Sequence, residues 1–249
     1  RQGIIIAAQS QDDADRFLSL GANPARTCVM GNIKFDVEPD SGVRDVAAVT
    51  RKELFGDRPV WIAASTHEGE EQLVLDVHRD LLVRHPDLLL VLVPRHPGRF
   101  AAVRELVEKR DMSVISRTEQ RPAGDAAVFL CDTMGEVPLF YAASDVAFVA
   151  GSLVPIGGHN LLEPAALGVP VITGPYNFNS QDIADLFESL GACRIVSGTD
   201  ELGQVVSELL TDSEEADRLG RAGQQVLEDN RGALDRLLVL LEPLLKQGT

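Results

Sequence analysis

Short apolar runs rich in Val and Ile alternate with helix-period segments along nearly the whole chain. Residues 60–65, Val-Trp-Ile-Ala-Ala-Ser, form a run of strand length, and residues 69–83 place Leu73, Val77 and Leu81 on one helical face. Residues 88–93, Leu-Leu-Leu-Val-Leu-Val, read as a fully buried strand followed by a helix over 98–109. Further strands are predicted at 112–115, 126–130, 146–150 and 169–173, with helices between most of them. Continuous apolar strands alternating with helices require a parallel sheet covered on both faces. With right-handed crossovers the fold class is α/β, a doubly wound, Rossmann-like parallel sheet. Such sheets bind ligands beyond the carboxyl ends of their strands, where the strand order reverses. The residues just after each strand are therefore the place to look for chemistry.

The two ends of the chain fit this domain less directly. A strand at 3–8, a helix at 12–20 closed by Gly21 and a strand at 27–30 precede Gly31-Asn-Ile-Lys-Phe-Asp36. The polar, turn-rich stretch 38–42 is the candidate linker. Residues 1–42 are read as the end of a preceding domain plus that linker, the alternative being the first βαβ unit of a single domain. Residues 43–249 are then the main domain with C-terminal helices at 201–210, 214–227 and 233–245. The last of these carries Leu234, Leu237, Leu238, Leu241 and Leu245 as a wide apolar stripe. Its flanks hold few basic residues, which favours packing against protein over a membrane surface.

Composition narrows the function classes. No apolar run approaches the ~20 residues that a membrane helix needs. A formal charge of −15 argues against nucleic acid as a partner, because phosphate neutralisation needs clustered Lys and Arg. A small anion remains possible, since it needs only a few local donors. The cysteines, Cys28, Cys131 and Cys193, are odd in number and unpaired in spacing, which predicts reduced core residues in a cytoplasmic compartment.

Four of the strand ends carry unusual residues. After the strand at 60–65 comes Thr66-His67-Glu68-Gly69-Glu70-Glu71, where Ser65 or Thr66 can cap the next helix. Capping alone does not call for His67, so the helix start with this imidazole is a candidate anion site. A zinc-protease reading fails, because Glu71 stands where the second histidine would be. After 88–93 comes Pro94-Arg95-His96-Pro97, an Arg and a His held between prolines and suited to phosphate or carboxylate. Asp132-Thr133-Met134-Gly135-Glu136 follows the strand at 126–130; Gly135 admits a close ligand and Met134 can lie against a flat base. The richest end is Gly157-Gly158-His159-Asn160-Leu-Leu-Glu163-Pro, with Asn160 as a plausible N-cap. Glu163, on the first helical turn, can accept two hydroxyl hydrogen bonds, as a ribose offers. A mere capping pair would explain Asn160 and Glu163, but neither the two glycines nor His159.

These motifs in this order resemble the Kdo (3-deoxy-D-manno-octulosonic acid) transferases of lipopolysaccharide assembly. The likeness runs through Gly31-Asn-Ile-Lys-Phe-Asp36, Ser65-Thr-His-x-Gly-Glu-Glu71, Pro94-Arg-His-Pro97, Asp132-Thr-x-Gly-Glu136 and Gly157-Gly-His-Asn-x-x-Glu-Pro164. It implies a GT-B glycosyltransferase, two Rossmann-like domains around a cleft, of which this chain is the C-terminal, donor-binding one. It implies CMP-Kdo as donor and lipid A precursor as acceptor, with inversion, no cofactor and no metal in the catalytic step. Arg95 and His96 would meet the donor's phosphate or carboxylate, Met134, Gly135 and Glu136 the cytidine, and Glu163 the ribose. Ser65, Thr66 and His67, with Gly157, Gly158, His159 and Asn160, would frame phosphate and sugar. No catalytic residue is expected in this chain: the base would be a Glu of the N-terminal domain, which would also supply the membrane contact, at the cytoplasmic face of the bacterial inner membrane. The isolated chain is expected to be soluble and to transfer nothing. Other GT-B enzymes acting on UDP-sugars, or a non-catalytic nucleotide-binding module, are the competing readings.

Overall fold

The structure, a computed structural model, describes residues 4–246. The chain divides into two compact units: residues up to Glu38 with those from Gln225 onward, and residues Pro39–Gln224. The apolar pattern alone assigns the whole tail to the second domain, whereas here its last part groups with the first segment. The apolar stripe of that last helix is not buried as packing against protein would require: Leu234, Leu238, Leu241 and Leu245 are all exposed.

In the first unit, β1 (Ile6–Ala8) and β2 (Thr27–Val29) pair in parallel, Ile6 opposite Thr27 and Ala8 opposite Val29. Gly3, where the first strand was expected to begin, lies outside the described residues. Between the strands runs α1 (Gln11–Ser19), where the Ser10 hydroxyl accepts the N–H of Asp13 at 3.1 Å.

The second unit opens with α2 (Val43–Leu54), β3 (Val60–Thr66), α3 (Glu70–Leu82), β4 (Leu89–Pro94) and α4 (Phe100–Glu108). It continues through β5 (Val114–Ser116), β6 (Val128–Leu130), α5 (Val137–Ala142), β7 (Val146–Val149) and α6 (Leu162–Ala166). Then come β8 (Val171–Thr173), α7 (Gln181–Ser189), β9 (Arg194–Ile195), α8 (Thr199–Thr211) and the part of α9 (Ser213–Asn230) up to Gln224. Its seven strands form one parallel sheet in the order β5-β6-β4-β3-β7-β8-β9. The chain builds outward from β3 on one side, then returns to place β7 on the other. That reversal lies at β3, and it sets the crevice at the carboxyl ends of β3, β4 and β7.

Strand alternation explains why β3 and β4 read as unbroken apolar runs. Trp61 and Ala63 join Leu90, Leu92, Val146 and Phe148 in a core layer with Val74, Leu81, Val103, Val107, Val206 and Leu209 of α3, α4 and α8. Ile62, Ala64, Val91 and Val149 alternate to the other face and are equally buried. Aromatic packing continues away from that first layer, with Phe129 at 5.1 Å from Phe55 and 5.6 Å from Phe140. Each such side chain contributes ~1.5–3 kcal/mol by leaving water, so the sheet is a stiff platform for the loops at its edge.

The helix α10 (Ala233–Lys246) belongs to the first unit. Asp36 caps its start, accepting the N–H groups of Gly232 at 2.6 Å and Leu234 at 2.7 Å, and the Arg236 guanidinium donates to Met30 O at 2.8 Å. The Gly31–Asp36 motif is thus the seat of α10. Leu234, Leu238, Val239, Leu241 and Leu245 lie exposed. No helix among the described residues is long and apolar enough to cross a membrane.

Candidate functional site

The first strand end departs from the expected cap. At Ser65 the backbone turns left-handed, φ 64°, and the pairing of β3 with β4 shifts register between Ala64 and Thr66. β3 then continues through Thr66, which is fully buried, its hydroxyl without a hydrogen-bond partner among the described residues. Neither Ser65 nor Thr66 caps α3; the capping position is Gly69, at φ 87°. Side-chain capping is displaced because Thr66 still belongs to the strand and the helix starts only at Glu70, with three residues between them.

Glu70 takes over the loop and does more than cap. Its carboxylate is fully buried and accepts four backbone N–H groups: Gly151 at 2.7 Å, Leu153 at 3.0 Å, Ser152 at 3.1 Å and His67 at 3.3 Å. Burial pushes its carboxyl above the ordinary range, and these amides pull the other way. β3 and β7 are neighbours, Ala64 opposite Val149, so one carboxylate on the first turn of α3 reaches the loop that follows β7. Glu71, also fully buried, holds the Arg99 guanidinium at 3.1 and 3.3 Å, while exposed Glu68 meets the same group at 3.2 Å. Arg99 ends the helical turn Pro97–Arg99 that follows β4, with Pro97 at its first position as expected.

Three histidines from three strand ends then meet. His67 and His159 face each other Nε2 to Nε2 at 2.8 Å, rings 3° from parallel with centroids 5.0 Å apart. His96 stands edge-on to His67, centroids 5.5 Å apart. Burial lowers the pKa of His67, reinforced by His96, Arg95 and Arg99. Burial lowers that of His159 to about 4, reinforced by His67, Arg95 and His96. Gly151 makes this packing possible, because a Cβ there would stand 2.8 Å from His159 Cδ2 and 3.5 Å from His67 Cδ2.

The diglycine turn is positioned differently from a bare anion cradle. Gly157 and Gly158 have φ of 109° and 74°, and both N–H groups donate to Gly151 O, at 3.1 and 2.8 Å. The segment after β8, residues 174–180, packs on them. A Cβ on Gly157 would meet Phe178 and Asn179 at 2.5 Å, and one on Gly158 would meet Asn177 Oδ1 at 2.5 Å. Asn179 also donates its side-chain amide to Ile156 O at 3.1 Å. The turn therefore needs glycine to fit under a neighbouring loop while it places His159. Asn160 lies one residue before the capping position of α6, which is Leu161. Its Oδ1 still accepts the Leu162 N–H at 3.1 Å, and its amide reaches Glu163 Oε1 at 3.2 Å. Glu163 sits on the first turn of α6, as expected.

At the end of β6, Met134 is 62% exposed and Gly135, φ 83°, has open space where a side chain would be. Glu136 is held by Arg117, with Nη2 at 2.9 Å from Oε1, and closely by the Thr133 hydroxyl. With Arg117 Nε at 3.2 Å from both oxygens, its acceptor capacity is taken up. Thus His67, His96 and His159 are brought together with Arg95 and Arg99, Asn160 is joined to Glu163, and Met134 to Glu136 form a separate group with Arg117. Glu70, Arg99, Arg117, Asn177 and Asn179 escaped the sequence reading of individual roles. The adjacent acidic residues Glu70-Glu71 and the Asn-x-Asn of residues 177–179 were the available signals. Among the described residues, no group of three His, Cys, Asp or Glu is arranged to hold a metal ion.

Residues 57–226 match the family described as "Glycosyl transferases group 1", and residues 2–37 match "3-Deoxy-D-manno-octulosonic-acid transferase (kdotransferase)". A 3-deoxy-D-manno-octulosonic acid transferase of Haemophilus influenzae is 45% identical over 98% of this chain and 58% of its own length. That of Bordetella pertussis is 34% identical over 95% of this chain and 56% of its own. The chain therefore spans less than two thirds of these relatives. Among solved structures, the C-terminal CMP-Kdo binding domain of WaaA from Acinetobacter baumannii superposes with a TM-score of 0.70 at 35% identity, over 74% of this chain and 97% of that one. Anabaena HepE, solved with UDP and glucose, shares the fold at a TM-score of 0.58 and 17% identity, over 96% of this chain and 62% of that one.

Proposed function

We propose that this chain, which belongs to the group 1 glycosyl transferases and among them to the Kdo transferases, is the donor-binding part of an enzyme that transfers Kdo from CMP-Kdo to lipid A precursor. The observation that carries this is the cluster of His67, His96 and His159 with Arg95 and Arg99 at the ends of β3, β4 and β7. It gathers cationic and N–H-bearing groups at the switch point of a parallel sheet, where an anionic ligand is expected. A phosphate needs such donors, and a chain of net charge −15 has gathered them at this one edge of the sheet. The WaaA domain, described as binding CMP-Kdo, supports CMP-Kdo as the donor over other sugar nucleotides.

In this assignment Arg95 and His96 meet the phosphate or the Kdo carboxylate, with Ser65 and His67 alongside; Thr66, fully buried, offers the donor no surface. Gly157 and Gly158 act through the placement of His159 and Asn160. Met134, Gly135 and Glu136 lie around the cytidine, and Glu163 accepts the ribose hydroxyls. Holding the departing CMP in a preorganised field is this part's contribution to the rate. The base that activates the acceptor hydroxyl, and the contact with lipid A precursor at the cytoplasmic face of the inner membrane, belong to the remainder of the enzyme.

Titration of the chain with CMP and with UMP tests the assignment. CMP should bind more tightly, and Arg95→Ala should weaken it by roughly 10-fold to 100-fold, the cost of a charge-assisted hydrogen bond. Preference for UMP, or indifference to Arg95→Ala, would overturn it.

A further inference from the structure

Two imidazoles 2.8 Å apart at Nε2 can be in contact only if one of them donates a proton there and the other accepts it. A neutral imidazole carries a single N–H. The ring that donates at Nε2 therefore has a bare lone pair at its other nitrogen, and the accepting ring has its N–H at its own. Such a pair is neutral as a whole and brings no charge to an anion. One added proton changes that: the pair becomes imidazole and imidazolium, both remaining nitrogens carry N–H, and the site gains one positive charge.

The surroundings keep that proton off while the site is empty. Arg95 and His96 face the pair from the end of β4, and Arg99 from the following turn, where Glu68 and Glu71 balance it in part. From α3, Glu70 reaches only the main-chain N–H of His67. Both rings are held below the ordinary histidine value by burial first; His96, Arg95 and Arg99 add to this at His67, and His67 itself, then Arg95 and His96, add to it at His159. A phosphate placed among Arg95, His96 and Arg99 would offset the part that these neighbours contribute and would favour a positive charge on the pair. Gly151 backs both rings and leaves no side chain between them, so their close approach is built into the backbone.

We propose that the His67–His159 pair takes up one proton when the phosphate of the nucleotide binds, so that the site acquires its full charge only together with its ligand. This rests on the assignment of CMP as the nucleotide. The pair acts as a charge-matching clamp, neutral with the empty site and cationic against the phosphate.

Calorimetric titration of the full chain with CMP at pH 7, in buffers of different ionisation enthalpy, counts the protons directly. Uptake of about half a proton or more per CMP is expected, with affinity rising from pH 8 to pH 6.5 toward a limit of about tenfold per pH unit. Cytidine, which lacks the phosphate, should bind without uptake. His67→Gln and His159→Gln should each reduce the uptake to near zero and flatten the pH dependence; comparing them with the unmodified chain removes the phosphate's own titration. CMP binding without proton uptake, or with uptake unchanged in both variants, overturns the clamp and leaves the nucleotide assignment standing. Failure of CMP to bind at all overturns both.

Discussion

Glu70, fully buried, ties the loop after β7 to the start of α3 through backbone N–H groups alone. A buried carboxylate without a cation is costly unless hydrogen bonds replace its lost water, and four amides do so here. Removing it strands the N–H groups of Gly151, Ser152 and Leu153, at ~1–3 kcal/mol for each one left unsatisfied. Because they relax together, Glu70→Ala should lower stability by about 3 kcal/mol in urea unfolding. Glu70→Gln, which keeps an acceptor, should lose less. A loss below ~1 kcal/mol for Glu70→Ala would mean that the loop holds without it. The sequence makes the residue types visible, and His67, His159 and the glycines stand out as unexplained by capping. It does not say that Gly157 and Gly158 spend their amides on Gly151 O, or that Glu70 spans from α3 to the loop after β7. Those facts depend on which strands are neighbours, which no local pattern states.

At the scale of elements, legibility follows burial. β3 and β4, buried on both faces, are apolar along their whole length and were placed to within a residue or so. The two residues of β9 at the sheet's edge, and α2 with only Ala47 buried, leave no comparable pattern. Proline trims β8 to Val171–Thr173, where an apolar run begins at Val169. The join between β3 and α3 carries a titratable group that the pattern also hides. Trp61 Nε1 donates to His78 Nδ1 at 3.1 Å, and His78 Nε2 donates to Ala127 O at 2.8 Å, which fixes a neutral ring. Burial lowers its pKa to about 4. The unfolded chain takes up this proton near pH 6.5 and the folded chain does not until about pH 4, so stability from this group falls as pH drops through that window. The loss should approach about 3 kcal/mol. His78→Gln, which can both accept from Trp61 and donate to Ala127, should unfold with a flatter dependence between pH 6.5 and pH 4. An unchanged slope would show that His78 is not the group responsible.

For the whole molecule, the question is whether a donor site alone can transfer. Activating an acceptor hydroxyl needs a carboxylate or imidazole free to take its proton. Among the described carboxylates near the strand ends, Glu70 is enclosed by amides, Glu71 and the exposed Glu68 are paired with Arg99, Asp132 accepts from Thr118, Glu136 is held by Arg117 and Thr133, and Glu163 engages Asn160. His67 and His159 bond each other and lie among cations that oppose taking up a proton from a neutral hydroxyl. Each of these groups already has a hydrogen-bond or ion-pair partner, which leaves it poorly placed to take a proton from an acceptor hydroxyl. The relatives extend well beyond the span matched here, and the proposed assignment puts the base in that additional length. The chain by itself should therefore bind CMP yet release Kdo to lipid A precursor at least ~10²–10⁴-fold more slowly than a complete relative, the usual contribution of a positioned base. Monitoring CMP release from CMP-Kdo in the presence of acceptor, chain against full-length enzyme, measures this. Turnover by the chain at a rate near that of the complete enzyme would show that one of the groups at these strand ends is the base after all.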